Sequence, residues 1–170
     1  IEALPQNLIE IRPTVFFGVP RIWEKIFAKL QEGLAKASFF RKKMADWAID
    51  IGKQHAQLLN SGQTPTGFLA MQYSLAKRLV FDKVKERIGL SRTRVCVSGA
   101  APISAEILTF FSGLNIIIHE VYGQSEDCGP TTFNQPKNTK FGTVGTSFPD
   151  VEVKIADDDE ILVRGENVFL

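Results

Sequence analysis

Apolar residues fall into two textures along this chain. Up to about residue 90 they recur at spacings of three and four between charged positions, whereas from Arg94 onward they gather in short runs divided by Gly, Pro and small polar residues. The first texture predicts amphipathic helices, the second strands and turns. One early exception is "TVFFGVP" (14 to 20), β-branched, aromatic and closed by Gly and Pro, which predicts a buried strand followed by a break. Pro20 then opens a helix from Arg21 to about Ala37, with Ile22, Ile26, Phe27, Leu30 and Leu34 on one side. A second helix, from about Phe39 to Leu59, carries Phe40, Met44, Trp47, Ile51, His55 and Leu58 on its apolar stripe, where His55 reads as a hydrogen-bonded histidine at the edge of the core. "NSGQTPTG" is a loop, and a third helix runs from about Phe68 to Ile88 and stops at Gly89.

In the second texture, "RVCVSGAAP" reads as a strand entering a small-residue turn, "SAEILTFFSGL" as a helix that Ser104 caps, and "NIIIHEV" as another buried strand. If the two strands are parallel, this is one right-handed βαβ unit. "PTTF", "VEVKI" and "EILVRG" are short strands. The run Asp157 to Glu160 lacks the glycine and spaced ligands of a calcium loop and reads as a solvated hairpin turn. The expected fold class is α/β, with helices packed on a mostly parallel sheet and short β-strands towards the C-terminus.

The chain has 170 residues, 44% hydrophobic and 23% charged, which suits one core of ordinary size. No run approaches the roughly 18 to 20 apolar residues of a spanning helix, and the first residues lack the order of a signal peptide, so a cytoplasmic protein is the expectation. Ile1 at the start and "EILVRGENVFL" at the end read as an excerpt from a longer protein. Cys96 in an apolar run is expected to fill core, and Cys128 to be a loop thiol. Net charge is +1, yet residues 1 to 90 hold 14 Lys and Arg against 8 acids, while residues 91 to 170 hold 6 against 11. The basic helices between Arg21 and Lys43 are candidates for peripheral contact with an anionic membrane. Nucleic acid has little support, since basic residues are not interleaved with aromatics in a compact motif.

Ligands of open parallel sheets bind outside the carboxyl ends of the strands. Two turns occupy that position here, "SGAAP" and "YGQSE", and adjacent strands would set both at the rim of one pocket. Gly99, Ala100 and Ala101 leave room for a flat ring against their backbone, and Tyr122 offers an aromatic face for its other side. Ser125 offers a hydroxyl for a phosphate oxygen, and Glu126 a hard carboxylate of the kind that holds Mg²⁺ beside substrate phosphates. A plain polar turn is the competing reading.

"VYGQSE" resembles the Tyr-Gly-x-Thr/Ser-Glu motif of the adenylate-forming superfamily, and "VSGAAPIS" its Ser-Gly-Gly-Ala-Pro-Leu segment. "FGTVGTSFPDVEVKI" and "DDDEILVRGENVF" resemble the two stretches that follow, in the right order and at compatible spacing. "RPTVFFGVPRIWEKI", with the long basic helices and "LVFDKVKERIGL", is similar to the long-chain fatty acyl-CoA synthetases, including bubblegum-type members and bacterial relatives. Departures are Ala100 where a second glycine is common, Val121 where glycine is frequent, Ser125 for threonine, and Asp159 where glycine usually precedes the strand glutamate.

The resemblance implies part of the large N-terminal domain of the adenylate-forming fold, spanning residues 1 to 170. It also implies an enzyme that forms a fatty acyl adenylate from a long-chain acid and ATP with Mg²⁺, then transfers the acyl group to coenzyme A. In that scheme Gly99, Ala100 and Ala101 flank the adenine, Tyr122 stacks on it, and Glu120, Val121 and Gly123 line the nucleotide site. Ser125 approaches the α-phosphate and Glu126 binds the metal, while Phe17 and Trp23 are candidates to wall the acyl tail, though core packing explains both equally well. The family's phosphate loop is expected before residue 1, and its small C-terminal domain with the catalytic lysine after residue 170. The 170 residues alone are therefore expected to be inactive. The alternatives are a non-catalytic nucleotide- or lipid-binding derivative and an adenylating enzyme for another carboxylic acid.

Overall fold

The computed structural model describes residues 3 to 136 and 138 to 169. Three strands, β1 (Val15–Gly18), β2 (Val95–Ser98) and β3 (Ile118–Gln124), pair in parallel, with Val15 beside Val95 and Cys96 beside Ile118. A tight turn after β3 reverses the chain, so that β4 (Gly129–Phe133) and β5 (Thr146–Ser147) extend the sheet antiparallel in the order β1-β2-β3-β4-β5. The sheet is thus mixed rather than mostly parallel. A return of four residues cannot make the crossover that a parallel neighbour requires. β6 (Glu152–Ile155) and β7 (Ile161–Arg164) form a separate hairpin whose turn holds Asp157 to Glu160.

Helix α1 (Leu4–Ile11) precedes β1, and the crossover from β1 to β2 contains α2 (Pro20–Ala35) and α3 (Phe39–Asn60). It continues through α4 (Gly67–Ala76), a π-helical turn over Lys77–Phe81, and α5 (Asp82–Arg87), which together occupy the span expected for the third helix. Helix α6 (Ala105–Gly113) joins β2 to β3, and Ser104 caps it by accepting from the Ile107 amide at 3.4 Å. The βαβ unit is therefore present as expected.

The core lies between one face of the sheet and the helices. Trp23, Phe81, Leu108, Phe111 and Ile118 have no exposed surface. Phe16, Trp23, Phe111, Phe110 and Phe27 form a chain of edge-to-face rings with centroids 4.9 to 5.6 Å apart. β1 is buried on alternate positions only: Phe16 and Gly18 face the core, and Val15 and Phe17 are exposed.

The buried face of α3 is rotated from the expected stripe. Ala45, Ala48, Gly52 and Ala56 are buried, whereas Phe40 is exposed. The reason is backbone proximity to α6: a Cβ on Gly52 would fall 2.0 Å from the Gly113 carbonyl oxygen, so position 52 admits only glycine, while Ile49, one turn earlier, is buried against Gly113. His55 sits at the core's edge, its ring stacked on Tyr73 with centroids 3.5 Å apart. Cys96 is buried, which pushes its thiol pKa up to about 12, and Cys128 is exposed.

Candidate functional site

The register of β2 against β3 sets Ser98 beside Glu120, so the chain that leaves β2 runs alongside Val121, Tyr122 and Gly123. A cleft of about 700 Å³ opens there, lined by Ala100, Ala101, Tyr122 and Gly123 among others. The small-residue turn thus meets Tyr122 and Gly123 in one cleft, but Tyr122 to Gln124 belong to strand β3 rather than to a turn, and Ser125 and Glu126 do not line this cleft. Gly99 is buried beneath this wall, where a Cβ would come within 2.6 Å of Val121 Cγ1 and 3.3 Å of the Phe17 ring. Val121 fills the space that a side chain at 99 would need.

A third wall comes from residues 142 to 145, which the sequence reading did not assign to the site. Asn134 holds this wall. Its amide donates to the carbonyls of Lys140 (3.1 Å) and Thr143 (2.6 Å), and its oxygen accepts from the Lys140 amide at 3.0 Å. Thr132 adds a bond from its hydroxyl to the Val144 carbonyl, at 2.8 Å. Glu120 closes the corner: its carboxylate accepts from the Gly142 amide at 3.0 Å, and burial raises its pKa, an effect the Gly142 amide opposes. The stretch "FGTVGTSFPDVEVKI", whose resemblance to the family was noted, contains this loop and was the signal that could have identified it.

After β3 the chain makes a single 3₁₀ turn, Ser125–Asp127, and its two adjacent acids have opposite environments. Asp127 is 2% exposed; it accepts from the Gln124 amide at 3.1 Å and from the Thr131 hydroxyl. Thr131 reaches it because the pairing of β3 with β4 slips between Tyr122 and Gly123, a bulge that turns Thr131 inward. Ser125 and Glu126 are held on the outside of the turn, exposed at the end of β3. At the bulge a Cβ on Gly123 would lie 1.8 Å from the Gly129 carbonyl, so this strand position admits only glycine.

Two of the departures noted in the sequence fall on left-handed backbone: Ala100 at φ 69° and Asp159 at φ 67°. Glycine adopts that conformation without strain, which explains why it is common there. Ser98, also missed from sequence, ends β2 at the edge of the cleft; it is 2% exposed and its hydroxyl has no hydrogen-bond partner among the described residues.

A second cleft, about 870 Å³, shares Ala100, Val121 and Gly123 with the first; Phe17, Val97, Phe133 and Phe148 give it apolar walls, and Ser125 lines this cleft rather than the first. Trp23 is not on either surface. Its ring is enclosed in the core, and its indole N–H donates to the carbonyls of Gly18 (3.1 Å) and Val97 (3.3 Å). It supports the strands behind the apolar cleft rather than the cleft itself.

Among the described residues no three His, Cys, Asp or Glu side chains converge to hold a metal ion. Glu126 is a single exposed carboxylate just past the end of β3, and it lines neither cleft. That donor set fits Mg²⁺, which keeps several waters and is commonly bound through one or two carboxylates together with substrate phosphates.

The fold is shared with solved CoA ligases. It matches a benzoate CoA ligase from Burkholderia xenovorans LB400 with a TM-score of 0.57 at 18% identity, over 98% of this chain and 26% of that one. The chain belongs to the AMP-binding enzyme family, whose model matches residues 2 to 170. It is 40% identical to the long-chain-fatty-acid–CoA ligase ACSBG2 of Xenopus laevis, over 99% of this chain and 23% of the relative. It is 35% identical to the human long-chain-fatty-acid–CoA ligase ACSBG1, again over 99% of this chain and 23% of the relative. The chain thus spans about a quarter of the length of the curated relatives it matches.

Proposed function

We propose that this chain is the central part of a long-chain-fatty-acid–CoA ligase, and that its two clefts hold the nucleotide and the carboxyl end of the acyl chain. The observation that carries the reading is their junction. A cleft that has an aromatic wall and the polar side chains of Ser98, Glu120 and Thr143 meets a more apolar cleft at Ala100, Val121 and Gly123, as a reaction joining a fatty carboxylate to a nucleotide requires. The 40% identity to a long-chain-fatty-acid–CoA ligase supports the choice of acid over the benzoate of the structural match.

In this reading ATP enters the smaller cleft. Tyr122 stacks on the adenine, Ala100 and Ala101 lie against the opposite side, Gly99 keeps the backbone close, and Glu120 and Val121 line the floor. The fatty carboxylate lies in the apolar cleft beside Phe17 and attacks the α-phosphorus; the P–O bond to pyrophosphate breaks, giving acyl-AMP. Coenzyme A then attacks the acyl carbon through its thiol, and AMP leaves. The first attack brings a carboxylate towards negative oxygens, so cations and aligned donors must offset the repulsion. Ser125 supplies a hydroxyl donor towards the α-phosphate, and Glu126 would hold Mg²⁺, which when bound neutralises phosphate charge. The exposure of both at the end of β3 supports these roles.

The phosphate loop and the catalytic lysine of the family are not among these 170 residues, so the isolated chain is expected not to form acyl-AMP. A protein acting on long-chain acids also has reason to touch a bilayer, and we assign it a peripheral membrane contact. Among the described residues no helix is long and apolar enough to cross one.

The test is acid-dependent exchange of labelled pyrophosphate into ATP by the full-length protein. Exchange with a long-chain acid should collapse in Glu126→Gln and show weakened ATP affinity in Tyr122→Ala. No exchange with any acid, from a folded protein, would overturn the catalytic reading and favour a non-catalytic binding protein.

A further inference from the structure

The corner between α2 and α3 carries a surface that the two clefts do not use. Phe39 and Phe40, in the first turn of α3, are 75% and 76% exposed. Arg41, Lys42 and Lys43 follow directly, and Lys43 Nζ lies 4.8 Å from the centroid of the Phe39 ring. Beside this corner runs a groove of about 580 Å³ with an apolar floor that includes Leu34, Met44 and Phe110. Lys29, Lys36, Arg41, Lys83 and Arg87 line it, and no acidic side chain does. From Arg21 to Lys43 seven Lys and Arg stand against two acids.

Contiguous exposed apolar surface marks a site that another phase or molecule covers, and Phe39 and Phe40 stand side by side next to the apolar floor of the groove. Here they are set among cations, and among the described residues only one of those cations is held in an ion pair, Lys36 with Glu32. The occupant must therefore be apolar at the rings and anionic around them. A bilayer interface with acidic headgroups has that layering, since aromatic rings rest at headgroup depth while Lys and Arg meet phosphates.

We propose that Phe39 and Phe40 insert into the headgroup region of an anionic bilayer, with Arg41, Lys42, Lys43 and the groove's cations bound to its phosphates. This names the anchors of the membrane contact assigned above, rests on that reading, and is independent of the adenylation chemistry.

The experiment is flotation of the full-length protein with vesicles of phosphatidylglycerol and phosphatidylcholine, against vesicles of phosphatidylcholine alone, in about 0.15 M salt. The protein should float with the anionic vesicles only and be released as salt rises. Phe39→Ser with Phe40→Ser should lower vesicle affinity about tenfold or more. Arg41→Gln, Lys42→Gln and Lys43→Gln together should lower it about a hundredfold. Both variants should keep the far-ultraviolet circular dichroism of the wild type. Pyrophosphate exchange, measured with the acid presented in detergent, should be unchanged in both, so loss of exchange in the wild type speaks against the catalytic reading and not against this one. Failure of the folded wild type to bind anionic vesicles, or equal binding by both variants, would overturn the proposal. So would a dimer by light scattering that the phenylalanine variant dissociates while vesicle binding persists, since the rings would then cover a second copy of the chain.

Discussion

The Gly142 amide donates to Glu120 Oε2 across 3.0 Å, tying the loop that forms one wall of the smaller cleft to the strand that forms the other. Glu120 is buried, and burial outweighs this single donor, so its pKa is raised above the ordinary 4.5. An acid whose folded pKa exceeds its unfolded one binds more protons when folded, so stability falls as pH rises from about 4.5 through the raised value. Glu120→Gln keeps an oxygen for the Gly142 amide and removes the charge. Its thermal unfolding temperature should exceed that of the wild type at pH 8 and should lose this decline at acid pH. A decline of equal size in the variant would assign the pH dependence to another group.

The neighbouring acids of the 3₁₀ turn should separate stability from chemistry. Asp127→Ala leaves the Thr131 hydroxyl and the Gln124 amide without their acceptor, which should cost about 2 kcal/mol or more in urea unfolding. Glu126→Gln alters an exposed side chain and should change stability by less than about 0.5 kcal/mol while exchange collapses. Equal destabilisation by both changes would show that the turn does not sort the two carboxylates as described.

Glycine substitutions test the bulge. A Cβ at Gly123 meets the Gly129 carbonyl, so Gly123→Ala must displace β4 and should destabilise by about 3 kcal/mol or prevent folding. Gly33 in α2 has nothing within 4 Å of the same atom, and Gly33→Ala should stabilise by about 0.5 to 1 kcal/mol. Chemical denaturation of the two variants side by side decides it.

Ala100 and Ser98 carry local costs that lie at the cleft. Ala100→Gly should relieve the left-handed backbone and raise stability by up to about 1 kcal/mol, since its added unfolded-state entropy offsets part of the gain. Ser98→Ala removes an unpaired buried hydroxyl and should stabilise the nucleotide-free protein by about 1 kcal/mol or more. If the hydroxyl meets a polar group of the nucleotide, that variant will also bind ATP more weakly in calorimetry. Unchanged affinity would leave Ser98 as an orphan of packing only.

Much of this architecture is legible in the residues because it depends on local chemistry. Helices follow from period-three-and-four apolar spacing, Ser104 and Gly89 mark ends, and small residues at 99 to 101 and "YGQSE" lie at strand ends where ligands are expected. What sequence alone could not supply were relations between distant segments. The antiparallel return of β4, the wall at 142 to 145 held by Asn134, and the burial of Asp127 beside an exposed Glu126 each depend on a register slip or a hydrogen bond between segments. The same holds for the rotated face of α3, set by the carbonyl of Gly113 against Gly52, and for Trp23, whose indole is enclosed by strands from two parts of the chain. Periodicity and turn chemistry are encoded within a few residues. Which side chain ends up enclosed, and which left facing a ligand, is decided only when the segments pack.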